Sequence, residues 1–265
     1  MTDLFSMDLQ AYQYVLIVLA GIFTGIINTL AGSGSLITLP IFVFMCGLPA
    51  DVANGTNRVG AFLQSGVGFY AFSRSGGAGT LKGSLWLVLP AVAGAIPGSL
   101  IAAQMNERMM NLAIGILMVI MLGVLLVDPK RWLRESAATS SRNKKPWIIL
   151  IFFLIGVYGG FIQAGIGIFL MASLVLAAHY SLSASTGVKL IIVFLLNIPT
   201  LIIFFAYNQI HFGFGLLMAV CQSVGAVLGV RFATKVPNAN TWIHRLLILI
   251  VIISASKFLY EWASG

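Results

Sequence analysis

Charge is what this chain has least of. Only 8% of its 265 residues are Asp, Glu, Lys or Arg, where a soluble domain carries about a quarter. That deficit excludes an ordinary soluble domain and gives an all-α, polytopic membrane protein as the fold class. The seven acidic residues are Asp3, Asp8, Asp51, Glu107, Asp128, Glu135 and Glu261. All fall at termini, turns or a linker, so no carboxylate stands at membrane depth for a conventional proton or sodium relay. The two cysteines, Cys46 and Cys221, sit in apolar runs and read as packing residues rather than a disulfide or metal pair. His179, His211 and His244 lie near segment ends. There is no G-x-x-x-x-G-K-[ST] phosphate loop, no H-E-x-x-H and no Cys/His cluster at metal spacing. These absences argue against an ATP-driven pump and against an enzyme, and no cofactor or metal is expected. Met1 to Gln10 holds no Lys or Arg, so a cleavable signal is not expected either.

Hydrophobic residues make up 59% of the chain and mean hydropathy is +1.01. Ten apolar segments can be marked, at roughly 11–30, 36–48, 52–73, 83–104, 109–127, 146–164, 166–179, 184–207, 212–232 and 242–262. The second and seventh are short: about 13 residues cover only ~20 Å of a hydrocarbon core about 30 Å thick. Each follows a glycine break, Ala31-Gly32-Ser33-Gly34 or Ala164-Gly165-Ile166-Gly167. The expectation is eight to ten helical segments, with a hairpin tip at each break.

The net charge of +8 points to cytoplasmic loops and an anionic leaflet rather than to nucleic acid. Its densest stretch, Asp128 to Pro146, holds Lys130, Arg131, Arg134, Arg142, Lys144 and Lys145. This divides the chain into a first repeat, 1–127, a cytoplasmic basic linker, 128–145, and a second repeat, 146–265. A-G-S-G at 31–34 matches A-G-I-G at 164–167. A-N-G-T-N-R at 53–58 lies over A-S-T-G-V-K at 184–189. G-A-I-P-G at 94–98 matches G-A-V-L-G at 225–229. Three matches in order argue for an internal duplication. Five crossings per half then invert one half against the other and leave every basic loop on the linker's side. Inverted repeats with broken helices are a secondary-transporter design.

The polar residues gather around the breaks. In the third segment Asn54, Asn57, Arg58, Ala61, Ser65 and Gly68 share one helical face. A lipid-facing helix would not carry such a stripe. The matching eighth segment places Thr186 and Lys189 on a weaker one. Arg58 and Lys189 correspond under the duplication, and the expectation is an anion site between the halves, with Arg58 contributing more. Its candidate substrate-binding residues are Asn28, Gly32, Ser33, Gly34, Ser35, Asn54, Thr56, Asn57, Arg58, Gln163, Gly165, Gly167, Thr186 and Lys189. Two cations, amides, hydroxyls and open backbone N–H groups suit an oxyanion. The competing reading is a pair of cations that snorkel to the headgroups. Gln222 reads as hydrogen-bond glue between helices, Gln163 as either glue or a site residue, and Gly94, Gly98, Gly225 and Gly229 let helices pack closely.

The run G-I-I-N-T-L-A-G-S-G-S-L-I-T-L-P, then G-L-P-A-D-V-A-N-G-T-N-R-V, resembles the sulfite exporter TauE/SafE family. So do G-G-F-I-Q-A-G-I-G and A-S-T-G-V-K in the second half. The resemblance covers essentially the whole chain. It implies a multi-pass permease of the bacterial inner membrane that moves a small sulfur-containing anion such as sulfite or an organosulfonate, usually outward. Ile166 and Ile168 stand where the first half has Ser33 and Ser35, so the second half-site is more apolar. The expected partners are a small anionic substrate and the lipid bilayer, without nucleic acid; a homodimer is compatible with the sequence. A channel-like anion pore and a membrane assembly factor without transport activity are the rival readings.

Overall fold

The computed structural model describes residues 9–74, 84–126, 146–232 and 239–264. The linker at 128–145, the stretch holding Asp3 and Asp8, and the loops holding Lys82 and Lys235 lie outside them. The described residues form ten α-helices and no strand: α1 Ala11–Ala31, α2 Ser35–Pro40, α3 Ala50–Arg74, α4 Leu85–Ala103, α5 Glu107–Leu126, α6 Pro146–Phe161, α7 Ile166–Ala172, α8 Leu182–Ala206, α9 Phe212–Phe232 and α10 Ala239–Ser264. Five of them, α1, α4, α5, α8 and α9, are long and apolar enough to cross a membrane.

Each apolar segment read from the sequence corresponds to one helix. The edges move for local reasons. α8 begins two residues early because Ser181 caps it, its Oγ accepting from Ala184 N at 3.3 Å. α3 takes in Asp51, whose charge suits the positive end of the helix. α6 stops at Phe161 because the chain leaves the helix before the left-handed Gly165 (φ 71°).

The two halves share local backbone features. α2 and α7 each run into a single π turn, Ile41–Met45 and Ser173–Ala177. Cys46 N donates to Ile41 O and Leu48 N to Phe42 O; Ala178 N donates to Ser173 O and Tyr180 N to Leu174 O. Between each pair of donors stands one left-handed residue, Gly47 (φ 67°) or His179 (φ 58°). The main helix contacts are α4 with α6, α1 with α9, α3 with α9, α5 with α10, α3 with α8 and α4 with α8. Exchanging the halves turns α4–α6 into α9–α1 and α3–α9 into α8–α4. It returns α5–α10 and α3–α8 to themselves.

The usual distribution of polarity is reversed. Leu89, Ile202 and Val220 stand out on the surface, while Asn54, Arg58, Lys189, Asn197 and Gln222 are buried. An apolar exterior of this extent faces lipid.

Small residues bring the backbones together. A Cβ on Gly94 or Gly98 would collide with Phe153 O or Val157 O of α6, and one on Gly156 or Gly160 with Ala91 O or Ala95 O of α4. At the equivalent α1–α9 contact, Gly25 lies against Gln222 and Gly225 against Ile22 O. Gln222 of α9 ties α1 further, donating to Thr24 Oγ1 at 3.3 Å, and also reaches α2, donating to Thr38 Oγ1 at 3.0 Å. Gly98→Ala therefore forces α4 off α6 and is expected to cost about 1–3 kcal/mol, the usual cost of overpacking. Thermal unfolding of detergent-purified protein checks this against Gly123→Ala, where no atom stands within 4 Å of the new Cβ and stability should hold or rise.

Candidate functional site

α1 and α6 each end just before a glycine break, and the two breaks pack against each other. A helix end leaves carbonyls without intrahelical partners, and in lipid each such group costs several kcal/mol. Gly32 (φ 75°) closes α1 in part, its N–H donating to Asn28 O at 2.9 Å and Ile27 O at 3.3 Å. Lys189 of α8 completes the end: Nζ donates to Thr29 O at 3.0 Å and Asn28 O at 3.4 Å.

The end of α6 is also held by a cation from another helix. Arg58 of α3 donates to Gly159 O, to Gly160 O at 2.9 Å and to Phe161 O at 3.2 Å, all at the end of α6. Asn54 supports it from one turn away, Oδ1 accepting from Arg58 at 3.3 Å and Nδ2 donating to Phe161 O at 2.9 Å. The Phe204 ring lies 5.3 Å from the guanidinium carbon. Each half thus lends its buried cation to the broken helix of the other half. Both cations also oppose the negative end of the helix dipole they cap. Neither snorkels: Arg58 is 0% and Lys189 2% exposed.

Between these ends the two glycine breaks touch. Gly167 N donates to Gly32 O at 3.1 Å. A Cβ on either glycine would overlap the backbone of the other, so both positions demand the smallest residue.

Beside this contact lies a cavity lined by Asn28, Gly32, Ser35, Gln64, Ser65, Gln163, Ile166, Gly167, Lys189, Leu190 and Val193. Both halves supply its wall. Its open space is on the order of one water molecule. Asn28 and Gln64 bind each other, Asn28 Nδ2 donating to Gln64 Oε1 at 2.5 Å, and Gly34 N donates to Asn28 Oδ1 at 3.3 Å. Gln163 is buried with neither amide atom paired.

Of the residues expected at a substrate site, Asn28, Gly32, Ser35, Gln163, Gly167 and Lys189 line this cavity. The others lie elsewhere. Arg58 and Asn54 hold the end of α6. Thr56 Oγ1 accepts from His211 N at 2.9 Å. Thr186 Oγ1 donates to Leu182 O of its own helix. Ser33 and Asn57 are buried off the cavity wall, each with a polar atom unpaired. Gly34 holds Asn28, and Gly165 packs against Met121. The cavity adds Gln64, Ser65, Ile166, Leu190 and Val193. Ser65 already stood in the polar stripe. Gln64 follows Asn57 by seven residues, and extending the helical count by two turns would have found it.

The family model described as Sulfite exporter TauE/SafE matches residues 17–258. The chain is 26% identical over 254 residues to "Probable membrane transporter protein ORF9" of Sinorhizobium sp, covering 96% of this chain and 95% of that protein. It is 22% identical over 255 residues to "Probable membrane transporter protein" of Haemophilus influenzae, covering 96% and 98% of the two chains. With "Probable membrane transporter protein YfcA" of Escherichia coli K12 it shares 23% identity over 237 residues, 89% of this chain and 86% of the relative. No solved structure matches.

Proposed function

We propose a substrate class on one premise: the chain belongs to the sulfite exporter TauE/SafE family and is a multi-pass membrane transporter. The substrate is a small sulfur-containing oxyanion, such as sulfite or an organosulfonate, bound between the two halves of the chain. The observation that carries this reading is Lys189. It is a buried cation on a cavity wall where the other lining side chains are uncharged. A buried charge is stable only with a partner. Helix carbonyls satisfy part of the ammonium, and an anion in the cavity would complete it.

The cavity must open for an anion to enter. The apolar side chains of Ile166, Leu190 and Val193 are the part of the wall that must move. In this reading the two halves are inverted repeats that rock about the Gly32–Gly167 contact, with the basic linker on the cytoplasmic face of a bacterial inner membrane. An interior-negative potential then favours efflux of a monovalent anion by ~2.3 kcal/mol per 100 mV.

The test is flux in proteoliposomes loaded in turn with sulfite, thiosulfate, methanesulfonate and sulfate. Saturable efflux of sulfite or the sulfonate, absent from protein-free liposomes, is the expected result. No flux of any of these anions would remove the reading and favour an assembly factor. Flux that never saturates would replace the transporter cycle with a pore.

A further inference from the structure

We propose that the cavity selects a singly charged oxyanion that brings one hydrogen-bond donor of its own, and that Gln163 makes this choice. The proposal rests on the reading above that the cavity is the substrate site.

Charge sets the first half of the argument. Among the described residues, Lys189 supplies the cavity's one ionisable side chain. One fixed cation balances one negative charge. A dianion would bring a second, unpaired charge into a buried space, which is strongly disfavoured.

The hydrogen-bond inventory sets the second. Asn28 and Gln64 spend their amides on each other, on Gly34 N and on Thr29 Oγ1. Ser65 Oγ donates to Ala61 O at 2.6 Å. Lys189 gives two of its three N–H donors to α1. Gln163 remains. It is 2% exposed, its Nε2 and Oε1 are both without a partner, and it lines the cavity. An amide left unpaired in the interior is uncommon and calls for a reason. Its Nε2 and the spare Lys189 hydrogen can donate to anion oxygens. Its Oε1 can only accept, so it needs a hydrogen on the ligand. Ser35 adds a hydroxyl that serves either way. Arg58 and Tyr158, the ionisable groups on the neighbouring helices, are committed to the carbonyls of α6 and of Ala164. A protonated monoanion such as hydrogensulfite matches this set. Sulfite and sulfate dianions do not, and a sulfonate matches the charge but leaves Oε1 unpaired.

The test is efflux from proteoliposomes at equal pH on both faces, with sulfite held at fixed total concentration. Above the pKa of hydrogensulfite, flux should fall with the monoanion, about tenfold per pH unit. Methanesulfonate, a monoanion throughout, should move more slowly and keep a flat pH profile, which excludes titration of the protein as the cause. Sulfate should neither move nor compete. Gln163→Leu should shift preference from hydrogensulfite towards methanesulfonate by about tenfold, a change that a purely structural glutamine would not produce. Gln163→Met takes its place if the leucine variant is missing from the membrane, and the wild-type pH profile decides without either. Sulfite flux that ignores pH or rises with the dianion, beside intact methanesulfonate flux, overturns this proposal and leaves the substrate site standing. An unchanged preference in the variant does the same. No flux of any anion overturns both.

Discussion

Arg58→Ala removes most of the folded protein from the membrane. The guanidinium is the donor that reaches Gly159 O and Gly160 O at the end of α6, and it shares Phe161 O with Asn54. An alanine leaves at least two buried carbonyls without a donor. Each costs about 1–3 kcal/mol, against a total stability of roughly 5–15 kcal/mol for a folded protein. Asn54 loses a donor to its Oδ1 as well. Arg58→Lys keeps one cation but exchanges the planar fork for a single ammonium, so it should recover part of the loss. The measurement is the yield of monodisperse protein and its midpoint of thermal unfolding in detergent. Flux per folded molecule in Arg58→Lys should stay near wild type, because Arg58 is not on the cavity wall. A folded, fully stable Arg58→Ala that has lost only flux would show that the guanidinium meets substrate instead.

Lys189→Met should act in the opposite way, with folded protein retained and flux lost. Gly32 N already bonds Asn28 O, so α1 keeps part of its cap when the lysine goes. Methionine has a similar length, and removing a buried cation also removes its desolvation cost. Under the proposed function, the substrate loses the one counter-charge that the described residues place on the cavity wall. Hydrogen bonds to charged groups contribute about 1.5–3 kcal/mol, which corresponds to a ten- to hundredfold drop in flux at low substrate. Lys189→Arg should restore part of it. Flux in proteoliposomes, normalised to protein in the bilayer, checks both variants. Wild-type flux in Lys189→Met would place the substrate elsewhere.

The two cations also mark where the sequence stops being legible. The helices follow from hydrophobic runs and glycine breaks, since burial in lipid leaves few alternatives. The stripe on α3 was readable as a face turned away from lipid. Its partner was not readable, because Arg58 meets backbone carbonyls, and any helix end exposes those whatever its side chains. The π turns after α2 and α7 are shifts in backbone pairing and leave no residue signature. Gly47 announces a left-handed turn, whereas its counterpart His179 does not. The position of Gln163 beside a break was readable. Only packing reveals that the other amides on the cavity wall, Asn28 and Gln64, find partners and this one does not.

The exchange of caps has a consequence for how the chain is made. A ribosome delivers α1 to the bilayer well before the residue that finishes it: Thr29 awaits Lys189, 160 positions later. Arg58 in turn is inserted 101 residues ahead of Gly159. The nascent first half therefore enters the membrane holding an unspent cation and an unfinished helix end, neither of which it can resolve alone. Its biogenesis is that of a heterodimer joined by a tether. The caps of both broken helices are complete only once translation supplies the second half.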